Sequence, residues 1–185
     1  MGEVGIMTPA AELAAREPPN SLSAFRLVVQ SPIGRAKAQH WVDFAVSCKS
    51  CGRGDFNVGW FPLVAPDPSP YFDTKPGEAL QRPPHRLRCV HCETVGTIFD
   101  PRVDGYDGIA CGGCAYPSGT TGEQFTGEPF NIVVCLTYNF ELAELLECAQ
   151  EAGPTVKAAD LFDWLTIIAT PVDGGSKLEL SYECA

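Results

Sequence analysis

Apolar and polar positions alternate in short β-like runs over most of the chain, and the period changes after residue 137. Ala24–Gln30 (AFRLVVQ) is β-branched and aromatic and is closed by Ser31-Pro32, which predicts a strand. His40–Ser47 (HWVDFAVS) predicts a second, with Trp41, Phe44 and Val46 as core candidates. Asp55–Val64 resumes the β pattern, so the Cys48–Cys51 pair between these two runs is expected in the turn of a hairpin. His85–Cys89 and Glu93–Phe99 predict two more strands flanking a second cysteine pair. Phe130–Thr137 (FNIVVCLT) is a continuous apolar run, the mark of a strand buried on both faces.

Helical spacing then takes over. Asn139 can cap a helix from Phe140 to about Gln150, with Phe140, Ala143, Leu146 and Ala149 near one face and Leu142 and Leu145 beside them. Glu141, Glu144, Glu147 and Glu151 form its acidic face, and Gly153-Pro154 is a stop. A second helix is expected over Lys157–Ala169, with Leu161, Trp164, Leu165 and Ile168 inward, ended by Thr170-Pro171. Lys177–Tyr182 alternates like a final strand. At the other end, Thr8-Pro9 can cap a short helix over Ala10–Arg16, stopped by Pro18-Pro19.

These elements predict an α+β fold in one compact domain, organised in three stretches. Residues 1–20 form a peripheral segment. Residues 21–119 form an antiparallel, β-rich, metal-binding region interrupted by a Pro-rich insertion over 65–84, with an irregular, Gly-rich stretch from Asp100 to Gly127 running out of it. Residues 120–185 form an acidic strand–helix–helix–strand region.

Charge sharpens the picture of that last region. The chain of 185 residues carries a formal net charge of −10, and the part from Thr120 onward holds 11 acids against Lys157 and Lys177. Nucleic-acid binding draws on cations that replace condensed counterions, so this C-terminal region would repel phosphate; a basic or neutral protein partner suits it better. A nucleic-acid reading would have to rest on Arg82, Arg86, Arg88 and Arg102, with help from Tyr71 or Phe72. No apolar run is long enough to span a bilayer, and the N-terminus has Glu3 where a signal peptide has a basic region, so a cytosolic, reducing setting is expected.

That setting decides how the nine cysteines are read. Cys48/Cys51, Cys89/Cys92 and Cys111/Cys114 are three Cys-x-x-Cys pairs, and in a reducing compartment such pairs are metal ligands or redox groups more often than disulfides. Each pair offers two sulfurs from one knuckle, and two knuckles complete the four-thiolate tetrahedron that Zn2+ prefers. Cys48/Cys51 with Cys89/Cys92 is favoured because strands flank both pairs. Cys89/Cys92 with Cys111/Cys114, 18 residues apart, is the competing pairing, and two ions are a further option. Cys135, Cys148 and Cys184 are expected in core or surface positions, and His40, His85 and His91 outside the chemistry.

The strand, SCKSCG, strand and strand, RCVHC, strand arrangement over residues 40–100 resembles the zinc-ribbon superfamily. That resemblance implies Cys48, Cys51, Cys89 and Cys92 as ligands and a structural metal, with no particular activity attached. The chain departs from the pattern in its long spacer and in having Glu93 where a Gly would follow Cys92. No nucleophile elbow, P-loop or dinucleotide fingerprint occurs. The expectation is a non-enzymatic, zinc-stabilised protein that binds another protein, in the manner of a small acidic inhibitor or immunity-type protein. A nucleic-acid-associated zinc ribbon is the first alternative, and a thiol oxidoreductase using Cys111 and Cys114 the second.

Overall fold

The structure is a computed structural model that describes residues 7–30, 40–64, 79–100 and 123–184. The insertion core at 65–78 and the stretch 101–122, with Cys111, Cys114, Tyr71, Phe72 and Arg102, lie outside the described residues. Among the described residues, nine strands join in one antiparallel sheet. They are β1 (Phe25–Gln30), β2 (Trp41–Cys48), β3 (Asp55–Val64), β4 (Ala79–Cys89), β5 (Val95–Phe99), β6 (Gln124–Phe125), β7 (Phe130–Thr137), β8 (Trp164–Pro171) and β9 (Leu178–Glu183). Two short helices, α1 (Pro9–Arg16) and α2 (Leu142–Ala152), pack on it. The architecture is therefore mostly antiparallel β, curled into a half-barrel, rather than the expected α+β. Among the described residues, no helix is long and apolar enough to cross a membrane.

β7 is the hub. β8 pairs along one whole edge of it, and β9 follows β8. The other edge is shared: β2 takes Val133–Thr137, and β3 takes Phe130 and Asn131. The first cysteine pair therefore does not sit in a hairpin turn. β2 and β3 run one after the other, in the same direction, along a single edge of β7, and the Cys48–Cys51 segment loops out between them. Sequence proximity of two strands suggests a hairpin, but each finds its antiparallel partners elsewhere: β2 in β1 and β7, β3 in β4, β6 and β7. The second pair does occupy a hairpin turn, between β4 and β5.

Alternate residues of each strand fill one core. Val42, Phe44 and Val46 of β2 join Ile132, Val134 and Leu136 of β7 and Leu165, Ile167 and Ala169 of β8. The curl brings distant strands together over this core. Tyr182 of β9 stacks on Phe99 of β5, with ring centroids 4.3 Å apart, and its hydroxyl donates to His85 Nε2 of β4. Nδ1–H of His85 then donates to the Gly59 carbonyl, 3.4 Å away. The imidazole is fully buried, and desolvation lowers its pKa to about 4, against a smaller opposing effect of that carbonyl. Gly96 of β5 lies against Phe25 at the start of β1, where a Cβ would stand 2.8 Å from the ring. Only a glycine lets the two ends of the sheet approach this closely.

The expected helix over Lys157–Ala169 is instead a 3-10 turn, Ala158–Asp160, followed by β8. Thr166, Ile167, Ile168 and Thr170 are β-branched, and burial follows a period of two: Leu165, Ile167 and Ala169 point inward while Trp164 is turned out. Leu165 alone of the fully inward set coincides with both periods. β4 begins at Ala79, so part of the Pro-rich insertion is strand. Pro83 and Pro84 fall where the β3–β4 register shifts, between the Gly59–Arg86 and Phe61–Arg82 pairs, a place where their missing N–H groups cost no ladder bond.

The helices follow the expected capping rules with small displacements. Thr8 caps α1 by accepting from Ala11 N, with Pro9 in the first turn. The segment expected at the periphery contributes Ala10 and Ala14 of α1, and the residues just after it contribute Leu22, to the core. α2 starts two residues later than expected, because Glu141 rather than Asn139 caps it in a reciprocal capping box with Glu144. Its inward face is Leu145 and Ala149, whereas Phe140 and Leu146 are 56% and 52% exposed. Tyr138, at the exit of β7, donates to the Ala159 carbonyl at 2.8 Å from a fully buried position.

Candidate metal centre

Two strand ends deliver the cysteines. Cys48 closes β2 and Cys89 closes β4; both are buried, whereas Cys51 and Cys92 lie in the following turns and are exposed. In the ladders Cys48 stands opposite Phe25 and Cys89 opposite Phe56. Those two rings meet edge to face at 6.0 Å, so an aromatic pair supports the two knuckles from beneath.

The knuckles share one backbone design. Cys48 N donates to Arg53 O at 2.7 Å and Gly52 N to Cys48 O at 2.8 Å. Cys89 N donates to Thr94 O at 2.9 Å and Glu93 N to Cys89 O at 2.9 Å. The residue after the second cysteine is left-handed in both, Gly52 at φ +76° and Glu93 at φ +58°. Glu93 thus adopts the conformation that glycine adopts in the first knuckle, at a steric cost of about 1 kcal/mol.

The four sulfurs converge. Sγ of Cys48 lies 3.5 Å from that of Cys92, and Sγ of Cys51 lies 3.5 Å from that of Cys89. All four ligand atoms fall within 4.8 Å of one another. A tetrahedron with metal–sulfur bonds of about 2.3 Å has sulfur–sulfur edges of about 3.8 Å, close to this arrangement. A disulfide needs about 2.05 Å, so these are not disulfide contacts. Each close pair draws one sulfur from each knuckle, so both knuckles are needed to build the site. Four thiol donors with no carboxylate select a soft or borderline ion, zinc or iron, over Ca2+ or Mg2+. The chemistry of the donor set and its spacing fit a bound metal ion.

The surroundings bias the thiols unequally. Hydrogen bonds from the Thr94 side chain and backbone hold Cys92 down to about 6, and burial pushes Cys89 up to about 12, against the backbone N–H groups of His91 and Cys92. Thr94 Oγ1 lies 3.3 Å from Cys92 Sγ and 3.4 Å from Ser50 Oγ, which ties one knuckle to the other. Val90 N donates to Asp55 O at 3.1 Å, and His91 Nε2 pairs with Asp55 Oδ2 at 2.7 Å. Lys49 Nζ donates to Ser23 O.

Of the six cysteines expected as ligands, the structure brings Cys48, Cys51, Cys89 and Cys92 together; Cys111 and Cys114 lie outside the described residues. Cys135 and Cys184 are buried and Cys148 is exposed, all away from this cluster. His85 is a buried core residue, and His40 and His91 are exposed. Two of the four arginines weighed for nucleic acid are described in full, and both are engaged. Arg86 pairs with Glu123 at 2.8 Å, and Arg88 lies 4.5 Å over the Phe125 ring. The bracing by Thr94 and by Asp55–His91 was not visible in the sequence; the hydroxyl two residues after Cys92 was its one local sign. The chain matches no protein-family model, no curated protein and no solved structure.

Proposed function

We propose that the cysteine cluster holds one structural Zn2+ and that the chain is a non-enzymatic protein acting by binding a basic protein partner through its acidic C-terminal region. The observation that carries the reading is the convergence of four sulfurs from two knuckles. Four thiolates saturate a tetrahedral ion and leave no open position for water or substrate, so such a site folds a protein rather than catalyses. In such sites metal-binding free energy is folding free energy. Zinc is the commonest ion for this ligand set in a redox-neutral structural role, and the paired knuckles are what a zinc-ribbon-like module uses.

The binding half rests on charge. Glu144, Glu147 and Glu151 on α2 and Glu141 at its N-cap are all exposed, and the part from Thr120 onward carries 11 acids against two lysines. The engagement of Arg86 and Arg88 with neighbours weakens the nucleic-acid alternative. Partner recognition in the manner of a small acidic inhibitor, rather than phosphate recognition, follows from that balance.

Elemental mass spectrometry of the purified chain, combined with thermal melting before and after chelation, tests the metal half. One zinc per chain and a melting temperature lowered by the chelator are expected. A metal-free chain, with reduced thiols and the same melting curve, overturns it. A salt-sensitive titration with a Lys-rich peptide, weakened by Glu147→Gln and Glu151→Gln, tests the charge half.

A further inference from the structure

α2 is anchored by few side chains, and a cleft opens beside it. A cavity of about 670 Å³ lies between α2, the segment 155–163 and Asn20–Ser21. That size is in the range of sites that enclose a small molecule or a large side chain. Leu145, Val156, Leu161 and Phe162 give it an apolar wall, and Phe140 stands at its lip, 56% exposed. An exposed aromatic beside an apolar cavity is what anchor pockets present.

The cleft also has a sign. Among the described residues it is lined by Glu144, Asp160 and Asp163 and by no lysine or arginine. Asp160 is occupied within the fold, accepting from Asn20 N, Asn20 Nδ2 and Lys157 N, and Asp163 accepts from Asn139 N. Glu144 caps its own helix. These hydrogen bonds fix the geometry of the three acidic side chains, which place a negative field at the mouth. At about 100° per residue, Glu144, Cys148 and Ala152 succeed one another down the helical wall, and Glu147 and Glu151 lie on the adjoining stripe. An apolar hole bordered by a row of exposed carboxylates matches a cationic segment that carries one large apolar residue.

We propose that this cleft receives a large apolar side chain from a Lys/Arg-rich segment of a protein partner, whose cations pair with Glu147 and Glu151. The proposal rests on the acidic-surface reading above and adds the place and the anchor. Charge complementarity speeds and orients encounter, and the buried anchor supplies most of the affinity. An anionic lipid or nucleic acid would meet the same carboxylates as repulsion.

The test uses the full chain and three short synthetic peptides, with binding followed by fluorescence anisotropy at low salt. One is Lys-rich with a central Trp, one has Ser in place of that Trp, and one keeps the Trp but replaces Lys by Gln. The Lys/Trp peptide is expected to bind at least about tenfold more tightly than either other peptide. Cys148→Phe, which fills the cleft from an exposed helical position, removes the advantage of Trp over Ser; Ala152→Trp is a second filler should the first disturb α2. Glu147→Gln with Glu151→Gln weakens both Lys-rich peptides and leaves their ratio unchanged. Equal, salt-sensitive binding of the Trp and Ser peptides overturns the cleft proposal and leaves the acidic surface standing. No binding of either Lys-rich peptide overturns both readings. Equal binding of the Gln/Trp peptide shows a charge-blind apolar site and overturns the cationic partner.

Discussion

Replacing Cys51 with serine separates the metal from the core. Cys51 is exposed, so its side chain adds almost nothing to apolar burial, and an isosteric hydroxyl there meets water. Any large loss of stability must come through the ion. The size of that loss follows from the chain the ion closes. Cys51 and Cys89 are separated by 37 residues, and their sulfurs lie 3.5 Å apart. Treated as a cross-link over that loop, the metal removes unfolded-state entropy equivalent to about 4 kcal/mol at room temperature. A whole domain has about 5–15 kcal/mol, so this is a large share. For a chain of this size it corresponds to a fall of about 10 °C in Tm. The assay is urea unfolding followed by tryptophan fluorescence, with parent and Cys51→Ser each measured with and without a zinc chelator. The parent should lose about as much on chelation as on substitution, and the variant should lose little more when chelated, because both routes remove one ion. Cys148→Ser, equally exposed but outside the cluster, should unfold with the parent. An unchanged urea midpoint for Cys51→Ser, with zinc still bound, refutes the reasoning.

Four further outcomes follow from the same geometry. Glu93→Gly should raise stability by about 0.5–1 kcal/mol, because it relieves a left-handed backbone in the second knuckle; a lower urea midpoint would show that the Glu93 side chain matters more than its φ. Gly96→Ala should cost about 1–3 kcal/mol, since its Cβ would stand 2.8 Å from Phe25 and 3.1 Å from Ala24, and Phe25→Leu in the same chain should recover part of it. His85 binds protons more weakly folded than unfolded, at about 4 against 6.5, so stability should fall as pH drops through that window, by up to about 3 kcal/mol. His85→Phe should flatten that slope, and an unchanged pH profile would remove the argument. Calorimetric zinc titrations near pH 7.5 in buffers of different ionisation enthalpy should show fewer than four protons released per ion, because Cys92, held near 6, is already a thiolate.

The sequence made β1, β2, β3, β7 and α1 legible because their signals are local. Asp55–Val64 and Phe130–Thr137 match the observed strands to the residue, and Thr8-Pro9 marks the start of α1. It failed over Trp164–Pro171 because a short apolar run fits both a period of 3.6 and a period of two; the edge of β7, far away in sequence, settles the matter. The choice of ligand set was open for a related reason. Spacing favoured Cys111/Cys114 as partners of Cys89/Cys92, and strand context favoured Cys48/Cys51. The sheet brings the ends of β2 and β4 together through β3, and with them Cys48/Cys51 and Cys89/Cys92, while Cys111 and Cys114 lie outside the described residues. The inward face of α2 was drawn too wide because Phe140 and Leu146 follow the helical period yet face outward. An apolar residue on the expected face can serve a partner rather than the core, and no periodicity argument separates the two.

The position of the four-cysteine cluster in the sheet gives a bound ion a structural task. β2 and β3 share an edge of β7, and the chain between them makes a detour: Ala45 stands opposite Val133, whereas Asp55 stands opposite Asn131. Ten residues of chain advance only two positions along β7. Nothing in a strand ladder fixes the length of such a detour, because side-chain alternation is restored by any even slip. The first knuckle absorbs the surplus, and an ion shared with Cys89 and Cys92 would fix where β3 must restart. On this reasoning the ion sets register as well as stability. Chelation should loosen amide protection first at the β3 end of that edge, around Phe56 and Cys89, while β7, β8 and β9, paired along their lengths without help from the knuckles, keep theirs. Uniform loss of protection across the whole sheet would show instead that the metal acts only on global stability.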